Sequence, residues 1–132
     1  MDKDKGFSLR FAWKRDGELD VLNYGADTGT YGDFVGGNFF QFVPETDYTI
    51  TQEVVLNTPG NADGYLGVVV NGKKVYESNT MVYRNNAEVQ IDSLLFATFF
   101  GGSDESWATP NDTYLEIKNF RISDDFEYSM VK

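Results

Sequence analysis

A hydrophobic period of two constrains this chain more than any other feature. In Phe7-Ser8-Leu9-Arg10-Phe11-Ala12-Trp13, the apolar residues Phe7, Leu9, Phe11 and Trp13 fall on one side, with Ser8, Arg10 and Ala12 on the other. Successive side chains of an extended strand point to opposite faces, so this spacing specifies a half-buried strand rather than a helix. The pattern recurs over Asp47–Asn57, where Tyr48, Ile50, Gln52, Val54 and Leu56 share a face, and over Tyr114–Ile122. Further strands are predicted over 18–24, Phe39–Val43 (closed by Pro44), Tyr65–Val70, Lys73–Tyr76 and, as one strand or a pair, Val89–Phe100. Lys14–Gly17 reads as a turn, and residues 25–38 and Thr58–Gly64 as loops rich in Gly, Asp and Thr. Asn71-Gly72 is a strong hairpin signal, because a type I′ turn needs positive φ at both central positions. About eight short strands with turns between them, and no amphipathic helix, point to an all-β sandwich or jelly roll.

The length of 132 residues suits one domain, 1–132, around one modest core. An aromatic content of 16% and 13 glycines agree with a sheet protein, in which rings pack on pleated surfaces and glycines fill turns. The chain has neither Cys nor His. Disulfides, thiolate and imidazole metal ligands and Ser-His triads are therefore excluded, and proton chemistry falls to carboxylates, Tyr, Lys or Arg.

Charge is uneven. The net formal charge is −10, which argues against nucleic acid as a partner. Yet the first 15 residues carry Lys3, Lys5, Arg10, Lys14 and Arg15 against two acidic residues, while Asp16–Gly72 has no basic residue at all. Any positive site must therefore form around Arg10, Lys14, Arg84 or Arg121. The acidic loop residues Asp27, Asp33, Asp104, Glu105 and Asp112 are candidates for a structural calcium ion; they lack EF-hand spacing, so the signal is weak and no cofactor is expected. No run approaches the ~18 apolar residues of a membrane span, so membrane insertion is not expected. The opening residues lack the pattern of a signal peptide, so a place outside a cell or on a virion surface would require a larger precursor.

Two longer blocks carry a resemblance. Asn57–Gly64, NTPGNADG, is followed by YLGVVVNG, and Phe96–Phe120 reads FATFFGGSDESWATPNDTYLEIKNF. In order and separation they resemble polysaccharide lyase family fourteen, whose members share an N-T-P-G-x-x-D-G block and an F-x-T-F-F-G-G-S-x-x-x-W block. The likeness extends over roughly residues 7 to 122. It implies a jelly-roll sandwich of two antiparallel curved sheets, concanavalin-like, and cleavage of alginate or related polyuronates by β-elimination. The family's Ser-x-Arg strand, just before a Trp, is matched by Ser8-Leu9-Arg10 with Trp13 following. Its Tyr-x-Tyr pair falls on Leu22-Asn23-Tyr24, so the second Tyr is kept and the first is Leu. Its Gly-Lys-Leu-Pro-Gly segment, which carries a catalytic Lys, has no counterpart in this sequence.

β-Elimination on a uronate needs a group to neutralise the carboxylate, a base for the C5 proton and an acid for the leaving oxygen. Arg10 suits the first, because a guanidinium pairs bidentately with a carboxylate. Tyr24 suits base or acid, since a phenol can serve as either when a cation lies beside it. Ser8, Arg10 and Tyr24 are the catalytic candidates, expected on one sheet face. Arg10, Lys14, Gln52, Arg84 and Trp107 are the candidate glycan contacts, by charge, hydrogen bonding or ring stacking. Three readings follow: a polysaccharide-binding, lyase-like domain degenerate in catalysis; an active polyuronate lyase; and a structural surface or tail domain of a viral particle used for adhesion. A homo-oligomer or a particle-surface assembly is compatible with the last.

Overall fold

The computed structural model describes Asp2 and residues 4–124. Its strands are β1 (Ser8–Trp13), β2 (Leu19–Tyr24), β3 (Asp33–Phe34), β4 (Ile50–Val55), β5 (Gly64–Val70) and β6 (Lys73–Met81). They form two antiparallel three-stranded sheets in the orders β1-β2-β3 and β4-β5-β6. Among the described residues the helical content is two short 3-10 turns, Arg15–Gly17 and Glu105–Trp107. The chain falls into two compact units, one running to Gln90 and containing both sheets, the other spanning Ile91–Asp124.

The alternating pattern explains the first unit. Leu19 and Val21 of one sheet and Leu66, Val68 and Val70 of the other are buried in a single core, closed by Met81 and Tyr83. Each such side chain contributes about 1.5–3 kcal/mol relative to exposure, which makes this shared apolar layer the main stabilising term. Phe7, Leu9 and Phe11 pack partly buried against it, as their period predicts. Trp13 does not. It lies at the end of β1, 48% exposed, and meets the Phe42 ring edge to face. The Asn71-Gly72 hairpin is present, with φ of 51° and 79° at the two central residues.

One polar residue is central to this unit. Asn57 is fully buried. Its Nδ2 donates to the carbonyls of Thr58, Asn61 and Arg84 at 2.9–3.1 Å, and its Oδ1 accepts the N–H groups of Tyr83 and Arg84 at 2.8 and 3.0 Å. The amide thus ties the loop before β5 to the segment after β6, and the NTPGNADG block is built around it. Burial pushes the Tyr83 phenol well above its usual range, and the protonated hydroxyl donates to the carbonyl of Tyr65 at 2.9 Å.

Three expected strands are absent. Phe39–Val43 is reduced to an isolated bridge between Glu18 and Gln41, although Leu19 N–H donates to the Phe40 carbonyl and Phe42 N–H to that of Gly17. The segment therefore runs along the same edge of β2 as β3 does. Gly36 and Asn38, at φ 144° and 66°, break the ladder between them. Val89–Phe100 and Tyr114–Ile122 also contain no strand. A strand needs a ladder partner, and none forms in 91–124; Phe96 and Phe120 meet edge to face at 5.3 Å, while Phe99 and Tyr114 stay exposed. The long Asp47–Asn57 strand shortens to Ile50–Val55.

Asn57→Ala should lower stability by about 3 kcal/mol in urea unfolding, because it leaves the buried Tyr83 N–H and the part-buried Arg84 N–H without an acceptor. Thr58→Ala, at an exposed neighbour, should change stability by less than ~0.5 kcal/mol.

Candidate functional site

The site is built by the register of the first hairpin. Lys14 N–H donates to the Glu18 carbonyl at 2.8 Å and Gly17 N–H to that of Lys14 at 3.2 Å, closing a short loop between β1 and β2. Asp16 and Gly17 take φ of 60° and 79°, the left-handed region in which Gly is free of strain. A side chain at Gly17 would also collide with the carbonyl of Phe42, whose N–H donates to Gly17. This loop sets Ser8 opposite Tyr24, Arg10 opposite Leu22 and Ala12 opposite Asp20. Those six residues share the face turned away from the core. Alternation along the two strands predicts Ser8, Arg10 and Tyr24 on one face, and the ladder brings them together.

On that face the Arg10 guanidinium is held at two points. Its Nε donates to Ser8 Oγ at 2.7 Å, and its carbon lies 4.8 Å from the centre of the Tyr24 ring. A cation over a phenol ring is drawn to the negative ring face, and the hydroxyl fixes the rotation of the guanidinium plane. Among the described residues Arg10 makes no ion pair. Leu22, between Arg10 and the strip's far end, adds only aliphatic surface.

Lys14 belongs to the same face but is engaged differently. Its Nζ contacts Asp20 Oδ2 at 2.6 Å and lies 4.0 Å from the centre of the Phe34 ring. The Asp20 side chain is fully buried, so the ammonium neutralises a carboxylate held away from water. Lys14, offered above as a glycan contact, therefore acts first as the counter-ion of Asp20. Phe34, paired with Leu22 across β2 and β3 and 48% exposed, brings an aromatic ring beside this face.

Two other sequence candidates do not join it. Gln52 pairs with Val68, which is fully buried, and so lies on the inner face of its sheet with its Nε2 buried and without a partner. The same parity that packs the partly buried Val54 against the core carries Gln52 inward. Arg84 donates from Nε to the Asn57 carbonyl at 3.0 Å and from Nη1 to that of Val89 at 2.6 Å. Its guanidinium is occupied with backbone carbonyls that hold the Asn57 loop. Trp107 lies in the Ile91–Asp124 unit, 59% exposed within the 3-10 turn Glu105–Trp107.

The acidic loops are used locally. Asp33 accepts the Gly29 N–H at 2.9 Å, and Asp104 accepts the Ser106 N–H at 2.9 Å. Hydrogen bonds from Ser106 hold the Asp104 carboxyl below its usual range. Among the described residues no group of three or more acidic, His or Cys side chains is arranged to hold a metal ion.

Sequence reasoning missed the two buried carboxylates. Asp20 sits inside the apolar run Leu19–Leu22, and that interruption was the available signal. Glu53, also buried, faces outward from β4; Lys74 Nζ reaches its carboxylate at 3.2 Å and the Tyr65 hydroxyl at 2.5 Å. The bond to Tyr65, with Glu53 beside it, holds the Lys74 ammonium above its ordinary range, whereas burial pushes the Tyr65 phenol up.

Comparison with known proteins bears on the family and the fold. A family model described as Polysaccharide lyase 14 matches residues 1–120. Among solved structures, the chain is similar to the marine PL-14 alginate lyase from Aplysia kurodai, with a TM-score of 0.71 and 30% identity. The likeness covers 80% of this chain and 48% of that one, so the chain spans about half the length of that structure. No curated protein matches the chain. The sandwich is thus the jelly roll that the sequence blocks implied.

Lys14→Ala should cost about 2 kcal/mol in chemical denaturation, less than for a fully enclosed pair because the ammonium is partly exposed. Lys14→Met combined with Asp20→Leu should recover most of that loss, since neither charge then remains unpaired.

Proposed function

The chain belongs to polysaccharide lyase family 14, and from that premise we propose that it binds a polysaccharide carrying uronate carboxylates across Ser8, Arg10 and Tyr24. On the same reading, the chain has little or no elimination activity of its own. One observation carries the binding half. Arg10 is a fixed, partly exposed cation on the sheet face turned away from the core, oriented by Ser8 and Tyr24 and free of any carboxylate partner among the described residues. A guanidinium in that state is matched by a planar carboxylate, which it can engage through two parallel hydrogen bonds.

The catalytic half follows from the same face. In β-elimination a base takes the C5 proton, the C4–O bond breaks as a C4–C5 double bond forms, and an acid protonates the departing oxygen. Arg10 is suited to neutralise the carboxylate and so make the C5 proton easier to remove. Tyr24, beside it, is suited to one proton transfer. Leu22 stands where the family has its other Tyr, and an aliphatic side chain transfers no proton. Groups that act as a unit lose most of their effect when one member is gone.

Charge shapes the affinity. A net charge of −10 opposes an anionic chain at long range, while Arg10 attracts it locally. Binding should therefore be weak and fall further with added salt, which screens the local attraction. A second reading, an active polyuronate lyase, is favoured by one observation, the packing of Tyr24 against Arg10.

The two separate in one set of assays on polymannuronate, polyguluronate and polyglucuronate. Absorbance from unsaturated uronate ends should stay at background, while binding to at least one polymer should weaken about tenfold in Arg10→Ala. Sustained turnover that Tyr24→Phe abolishes would establish the lyase instead. Binding unchanged in Arg10→Ala would remove this face as the site and favour a surface-display role.

A further inference from the structure

The opposite face of β2 carries a second feature that the uronate reading leaves unused. Asn23 pairs with Leu9, so its side chain points away from the Ser8–Tyr24 face. It lines a shallow, solvent-open groove of about 280 Å³ whose other polar residues are Asp27, Thr28, Asp33, Tyr76, Ser78 and Thr80. The Asn23 side chain belongs to a residue only 5% exposed, and its Oδ1 is buried without a hydrogen-bond partner among the described residues. Buried amide oxygens are nearly always paired, so an unpaired one on a residue that lines a groove calls for a partner the described residues do not supply.

We propose that this groove is a binding site for a neutral saccharide, separate from the Arg10 face and independent of whether that face binds uronates. The lining decides the ligand class. A carboxamide both donates and accepts, carboxylates accept, and Ser and Thr hydroxyls do either; a sugar hydroxyl, itself donor and acceptor, matches all three. No Lys or Arg lines the groove, so an anionic sugar would meet Asp27 and Asp33 without compensation. A hard cation fits less well. It needs six to eight oxygens, no set of three metal-binding side chains gathers among the described residues, and Asp33 already accepts the Gly29 N–H.

The test is a titration of the full chain followed by amide NMR, with cellobiose and mannobiose as neutral probes, dimannuronate as the acidic probe and calcium chloride as the cation. At least one neutral disaccharide should give saturable shifts, in the millimolar range, at the Asn23 side-chain amide and the backbone amides of Thr28, Ser78 and Thr80. Asp33→Asn, at an exposed position, should weaken that binding about tenfold. Asn23→Leu should abolish it in a protein whose spectrum remains folded. The proposal is overturned if neither neutral probe gives saturable shifts there, if shifts appear only at Ser8, Arg10 and Tyr24, or if calcium or dimannuronate alone moves the groove signals.

Discussion

The pairing of Ser8 with Tyr24 across the first hairpin governs the chemistry of the outer face, because side chains in a strand alternate strictly. A slip of one residue between β1 and β2 would exchange the faces, sending Leu9 and Phe11 to solvent and Arg10 into the core. Two features resist that slip. The core claims Leu19 and Val21 from the other side of β2. The loop at Gly17 fits only a residue without a side chain, because the backbone of Phe42 lies against it and accepts no displacement. The interior and the turn therefore agree on one register, and the polar strip is its by-product.

Within that strip the basic groups are not equivalent. Lys14 is bound to the buried Asp20, as Lys74 is to the buried Glu53 on the other sheet. Arg84 spends its donors on the carbonyls of Asn57 and Val89. Each of these cations compensates something the fold itself has buried. Arg10 contacts a neutral hydroxyl and a ring, so its charge is left for a ligand. In a protein of strongly negative charge, such a cation gives a local preference against an unfavourable background field. This difference in partners, rather than the count of basic residues, makes the outer face of β1 and β2 the candidate site.

Much of this was legible from residue order. The period of two gave β1, and Asn71-Gly72 gave the hairpin of β5 and β6. Alternation across a predicted turn placed Ser8, Arg10 and Tyr24 together. What escaped depended on partners distant in sequence. Arg84 looks like a free surface cation until the fold brings the Asn57 carbonyl to its Nε. Gln52 was read by its polarity, although its parity with Ile50 and Val54 already sent it inward. The Phe39–Val43 ladder is lost to backbone conformations at Gly36 and Asn38, which no hydrophobic pattern encodes. Alternation alone could not make strands of Val89–Phe100 and Tyr114–Ile122, since pairing requires a neighbour that sequence periodicity does not supply.

The central claim is that one register presents Arg10, oriented by Ser8 and Tyr24, to the carboxylate of a sugar acid. The most direct measurement follows the Arg10 Nε–H and Tyr24 ring resonances while a uronate trisaccharide is added to the full chain. The account predicts that both move together along one saturable curve, and that the Arg10 signal remains coupled to the Ser8 hydroxyl. Saturable binding that leaves both resonances in place, or that moves only residues of the other sheet, would contradict it.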